Sequence, residues 1–130
     1  MAQKAVKITI MFKKLDTITN EEFHSHWSNV HPKIFLGVKI VQEKIIKYAQ
    51  HHVNNEVSEG LKAAGLPVAD YDGCAEIYAR SVEELMSVFQ DEEYLRVVVP
   101  DEMRFLKRDE AKMILGWEDV LFDDGEVKSV

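Results

Sequence analysis

The chain has 130 residues, 46% of them hydrophobic and 30% charged, and a formal net charge of -7. That length holds one core and one domain, residues 1–130, and the balance of apolar and charged residues excludes disordered and fibrous classes. The acidic surplus excludes a surface built to neutralise phosphates, so nucleic acid is not an expected partner. No apolar run nears the ~20 residues that cross a bilayer, and the amino terminus alternates instead of forming a signal-peptide block, so a cytoplasmic protein without membrane contact is expected.

Val6 to Phe12 places Val6, Ile8, Ile10 and Phe12 on one face and Lys7, Thr9 and Met11 on the other, which predicts a first strand. Thr19 and Glu22 form a capping box, and Phe23, Trp27, Val30, Ile34 and Val38 recur at helical spacing behind it, which predicts a helix from about Asn20. Pro32 removes a donor and pushes His31 off helical angles, so a bend or helix end is expected there. Lys44 to Val53 reads as a second strand, followed by a polar connection with a short helix near Val57 to Ala64. Asp72 to Ala79 reads as the third strand. Ser81 and Glu84 cap a second amphipathic helix through Phe89, and Asp91 caps a further stretch, Glu92 to Val99, which Pro100 interrupts. Lys112 to Phe122 reads as the last strand, with a loose tail over 123–130.

The order β-α-β, then β-α-β, with helices covering one sheet face, is that of a ferredoxin-like α+β sandwich. Both strand parities carry apolar residues: Met11, Ile45, Ala49, Leu115, Trp117 and Leu121 on one, Ile8, Ile10, Ile46, Tyr48 and Val120 on the other. One helix layer hides only one face, so a homodimer closed through the two open faces is expected.

Three of the five histidines lie between Glu21 and Phe35. On a helix His24 and His26 point about 200° apart, and His24 and His31 stand roughly 10 Å apart along the axis, too far for bonds of ~2 Å to one ion. His51 and His52 point to opposite faces of a strand. No metal site is expected. His24 and His51 read as surface or satisfied histidines, Cys74 as a small buried apolar residue, and Trp27 mainly as core. His26 and His31 flank the apolar stripe on opposite sides, and the Pro32 bend turns His31 inward, toward His52 on the face that also holds Tyr48 and Gln50. Two imidazoles with a tyrosine or carboxylate suit proton transfer near neutral pH. The chain shows no phosphate-binding glycine loop, nucleophile elbow or dinucleotide fingerprint, so no cofactor is expected.

Taken in order, "FHSHWSNVHPKIF", "KYAQHHV", "YDGCAEIYA" and "DEEYLRVVVPDEMRFL" resemble the EthD family across nearly the whole chain. The resemblance falls on Phe23, His26, Trp27, His31, Tyr48, Gln50, His52, Asp72, Gly73, Glu76, Pro100 and Asp101. It implies a dimeric α/β barrel and a cofactor-free lyase acting on an aromatic polyketide intermediate. The leading expectation is decarboxylation of a hydroxyanthrone-type carboxylic acid. The alternatives are a polyketide dehydratase or cyclase, and a non-catalytic barrel that holds an aromatic ligand. The chain departs from a plant polyketide cyclase of this fold, which keeps a catalytic histidine after the third strand; Tyr94 is the nearest group here.

The expected catalytic set is His31, His52, His26 and Tyr48, with Trp27, Gln50, Glu76 and Asp101 binding substrate. A protonated His31 or His52 donates to the enolate oxygen that develops as carbon dioxide leaves, and the other histidine or Tyr48 protonates the carbon. Glu76 or Asp72 fixes an imidazole tautomer. In this expectation His31 and His52 meet in a water-poor chamber formed where two copies of the sheet close over each other.

Overall fold

The computed structural model describes residues 4–128. Four strands, β1 (Val6–Phe12), β2 (Ile45–His52), β3 (Gly73–Ala79) and β4 (Lys112–Gly116), form one antiparallel sheet in the order β2-β3-β1-β4. Helices α1 (Asn20–Asn29), α2 (His31–Phe35) and α3 (Lys39–Lys44) lie between β1 and β2. A polar helix, α4 (Asn55–Ala63), links β2 to β3, and α5 (Val82–Phe89) follows β3. A π-helical turn (Tyr94–Val98) then runs into α6 (Val99–Glu102), and a 3-10 turn (Arg108–Glu110) leads into β4. This is the expected ferredoxin-like α+β architecture.

Thr19 caps α1 through both bonds of the predicted box, its side chain accepting from Glu22 N and Glu22 accepting from Thr19 N. The chain breaks near Pro32, but one residue earlier than expected: α1 ends at Asn29, His31 opens α2 instead of leaving helical angles, and Pro32 sits in the first turn of α2, where its missing N–H costs nothing. The stripe read as one helix is therefore divided among separate segments. Phe23 and Trp27 come from α1, Phe35 from α2, Val38 from the connection and Val41 from α3, and all are buried. They pack with Leu85, Val88, Val98, Phe105 and Leu106 onto Ile8, Phe12, Ala75, Ile77 and Ala79 of the sheet. Each such large apolar side chain contributes about 1.5–3 kcal/mol on burial.

Strand register decides which residues face the helices. Ile8 pairs with Ile77 and Leu115, and Tyr48, Gln50 and His52 pair with Ile77, Ala75 and Gly73, so these share the helix-covered side. Lys7, Thr9, Met11, Lys47, Ala49, Cys74, Glu76, Tyr78 and Ile114 share the open side. The parity read from sequence is corrected at two places. A bulge at Ile46 puts Ile45 and Tyr48 on one side, and the register of β4 sends Leu115 to the helix side and Ile114 to the open one.

The last strand also ends early, at Gly116. Phe122–Asp123 and Glu126–Val127 form a hairpin, β5 and β6, where a loose tail was expected; residues 129–130 of that tail lie outside the described ones. Asp124 and Gly125 both take positive φ, 52° and 75°, the pairing that a tight two-residue hairpin turn requires. Among the described residues no helix is long and apolar enough to cross a membrane.

Candidate functional site

The break before Pro32 makes His31 the first residue of α2 and turns it into the core, where it is 5% exposed. Its Nδ1 lies 2.8 Å from Asp101 Oδ2. Asp101, equally buried, comes from α6, which exists because Pro100 starts a new helix at its first turn. His26, from the last turn of α1, places Nε2 3.0 and 3.2 Å from the two Asp101 oxygens. One carboxylate therefore ties two imidazoles that a straight helix would hold apart. The carboxylate accepts from His31 Nδ1–H, which leaves Nε2 as the nitrogen that carries a lone pair.

The His31 ring lines an inner chamber of about 20 Å³, together with Phe12, Trp27, Tyr48, Ala75 and Tyr94. Such a space holds about one water-sized group. Tyr48 is oriented by Gln50, whose Nε2 donates both to the phenol oxygen and to Trp27 O, each at 2.8 Å. The phenol O–H remains free to donate, and burial raises its pKa, keeping it protonated. Beyond Tyr94, Phe89 and Glu102, which line both spaces, the chamber adjoins an outer cavity of about 330 Å³ walled by Ile10, Met86, Met113 and Arg108. That volume is at the lower end for small-molecule sites.

His52 lies elsewhere. Its Nδ1 is 2.7 Å from His24 Nδ1, its Nε2 is 2.8 Å from Gln50 Oε1 and 3.2 Å from Ser28 Oγ, and its ring packs on Trp27. His24 in turn meets Asn55 Oδ1, and Asn55 donates to Asp72. Burial first, then His24 and His51, pulls His52 below the ordinary histidine value. His31 and His52 share no contact, so the expected meeting of these rings is corrected. His31 meets His26 through Asp101, and His52 braces Gln50.

Other expected residues separate in the same way. Trp27 lines the chamber, whereas Gln50 acts behind Tyr48 and Asp101 behind His31. Glu76 sits on the open side of the sheet, paired with Lys7 at 2.9 Å, away from the chamber. Asp72 clasps a turn, accepting from Lys14 N at 2.9 Å and from Asn55. The chamber itself lies between the helices and the sheet of a single chain, not between two sheets. Among the described residues, no three His, Cys, Asp or Glu side chains cluster as metal ligands do.

Two lining residues escaped the sequence reading, Glu102 and Arg108. Burial pushes the Glu102 carboxyl up against the opposing pull of Arg108, whose Nε donates to Oε1 at 2.9 Å; Tyr94 donates to Oε2 at 3.3 Å. Burial, with Glu102 nearby, likewise raises the Tyr94 phenol. The signal for Glu102 was present: Val98, Glu102, Phe105 and Leu106 fall on one helical face, and a lone acid within an apolar stripe marks a buried charge.

Residues 15–109 match the EthD domain family. The chain belongs to the EthD family. Among curated relatives this EthD protein is 23% identical over 126 residues to the dehydratase aurZ of Gibberella zeae, covering 94% of this chain and 82% of that one. It is 26% identical over 104 residues to the dehydratase CTB10 of Cercospora beticola, covering 76% and 78%. Among solved structures it is similar to an EthD family protein from Bacillus halodurans, with TM-score 0.60, 15% identity and coverage of 88% and 99%. A dimeric ferredoxin-like protein of unknown function from Thermobifida fusca gives TM-score 0.59 at 12% identity, covering 91% and 94%. The structural likenesses establish the ferredoxin-like fold alone.

Proposed function

We propose that this EthD protein is a cofactor-independent lyase that eliminates water from a β-hydroxy ketone of an aromatic polyketide intermediate. The observation that carries the reading is the buried His31–Asp101 pair at the wall of a chamber the size of one water. With Nδ1–H held by Asp101, His31 Nε2 removes the proton from the carbon between ketone and carbinol. Tyr48 O–H donates to the enolate oxygen, and the dry aromatic wall strengthens that bond. The electron pair then expels the β-hydroxyl, which takes the proton from the His31 imidazolium and leaves as water. Protons balance with a single base, and no metal or coenzyme enters any step. The ionised Asp101 stabilises the imidazolium while it lasts, and the dehydratase names of the curated relatives support the same reaction class.

The dehydratase names of the curated relatives favour loss of water over loss of carbon dioxide. We further propose that the chain works as a homodimer through the open side of the sheet, as the dimeric relative suggests.

The test uses racemic 3-hydroxy-1-tetralone, whose dehydration gives fluorescent 1-naphthol. Wild-type protein is expected to form naphthol with loss of one water by mass, and His31→Gln and Asp101→Ala to lower the rate by about 10²–10⁴-fold. Unchanged turnover in His31→Gln refutes the assignment, as does a product lighter by carbon dioxide from an acid-bearing substrate.

A further inference from the structure

The outer cavity contains one cation and one acid, Arg108 and Glu102, and the elimination uses neither. Arg108 opens the 3-10 turn after Lys107, whose own ammonium is turned to Asp16 and Glu110. Of the guanidinium donors, Nε is bonded to Glu102, and neither terminal nitrogen has a protein partner among the described residues. The side chain is half-exposed at the rim while Glu102 is nearly buried, so a fixed carboxylate holds the guanidinium plane and leaves its terminal edge available. A guanidinium held in this way loses little freedom on binding, and its fork matches a carboxylate in two parallel bonds. The remaining lining is apolar, including Ile10, Phe12, Met86, Phe89 and Met113, and suits fused aromatic rings. The whole chain carries -7, so the charge that draws an anion here is the guanidinium itself and not the net charge of the protein.

We infer that Arg108 is a specificity-determining residue whose terminal nitrogens grip a carboxylate on an aromatic substrate at the cavity rim, with the rings in the outer cavity. Its orientation toward catalysis rests on the function proposed above: the reacting end faces His31, and the acid group is held at the opposite end and retained. Burial raises the Glu102 carboxyl, so Glu102 can take up a proton when a second anion arrives, which lowers the repulsion between them. The selection is set by charge and fork geometry at the rim and acts before any chemistry.

The experiment is a calorimetric titration with 2-naphthoate and with its methyl ester. Wild-type protein is expected to bind the acid about ten- to a hundredfold more tightly than the ester, the range for charge-assisted hydrogen bonds. Arg108→Gln should erase that preference and leave ester affinity unchanged, and Arg108→Lys should restore part of it, since an ammonium keeps the charge without the fork. Equal affinities for acid and ester in the wild type, a parallel loss of both in Arg108→Gln, or no saturable binding of either overturns the inference. Neither probe carries a hydroxyl to eliminate. A preference for the acid without naphthol formation from the tetralone would therefore leave the anion site standing and remove the dehydratase reading.

Discussion

Replacing Gly73 by alanine tests how tightly the chamber wall is built. An ideal Cβ at this position lies 2.4 Å from Trp27 Cζ3 and 3.0 Å from Cη2, where ordinary contact begins near 3.4 Å, so the indole must retreat by about 1 Å. It has nowhere to go cheaply. Trp27 is fully buried, with the Phe12, Phe23 and His52 rings 5.8, 5.6 and 4.5 Å away. Overpacking of this kind costs about 1–3 kcal/mol. Gly73 is not among the positive-φ residues, so alanine is not strained there and recovers about 0.4–1 kcal/mol from the unfolded chain. The net expectation is a loss of about 1–2 kcal/mol, which for a chain of this length lowers the melting temperature by roughly 4–7 °C. Urea unfolding in a Trp117→Phe background leaves Trp27 as the sole indole reporter. In a Trp27→Leu background the alanine penalty should shrink by half or more, because the smaller side chain makes room. An alanine variant as stable as wild type, or a penalty unchanged in that second background, refutes the packing argument.

Two further outcomes follow from charge and surface. Burial raises the Glu102 carboxyl above its ordinary 4.5, so the folded state holds that proton more tightly than the unfolded chain does. Its stabilising contribution is therefore complete below the unfolded value and is lost as pH rises through the folded one. Relative to Glu102→Gln, the wild type should lose stability in urea titrations moved from mildly acidic to mildly alkaline buffer, and a constant difference would contradict this. Ile114→Glu, placed on the open side where the native side chain is 63% exposed, should convert a dimer to monomer in sedimentation equilibrium without lowering urea resistance of the protomer; persistence of the dimer places its interface elsewhere.

The sheet, the caps and the Pro32 break were legible because each depends on local chemistry: alternation in Val6–Phe12, a side-chain oxygen at Thr19, and a missing N–H at Pro32. The short hairpin was missed although Asp124-Gly125 signals one directly. His31 and Tyr48 line one chamber, inside a single chain and not between two sheets as the sequence reading had it, and the partnership of His31 with Asp101, 70 residues away in sequence, was not readable. It depends on two proline-started helices meeting, which no local pattern encodes. His52 followed the wrong inference for a similar reason: its strand face was read correctly, and which helix residue stands opposite it depended on packing. Glu76 was misplaced because alternation fixes which residues share a side but not which side the helices cover.

The bulge at Ile46 has a consequence for how such a protein changes. Beyond it, Tyr48, Gln50 and His52 point under the helices; a ladder that ran on from the Ile45–Ala79 pair with Ile46 taking up Tyr78 would turn all three outward and bring Lys47, Ala49 and His51 inward. Loss of Ile46 itself would only straighten the ladder and leave the interior chemistry in place, so the looped-out residue is a slot that absorbs the loss of one codon without exchanging inside for outside.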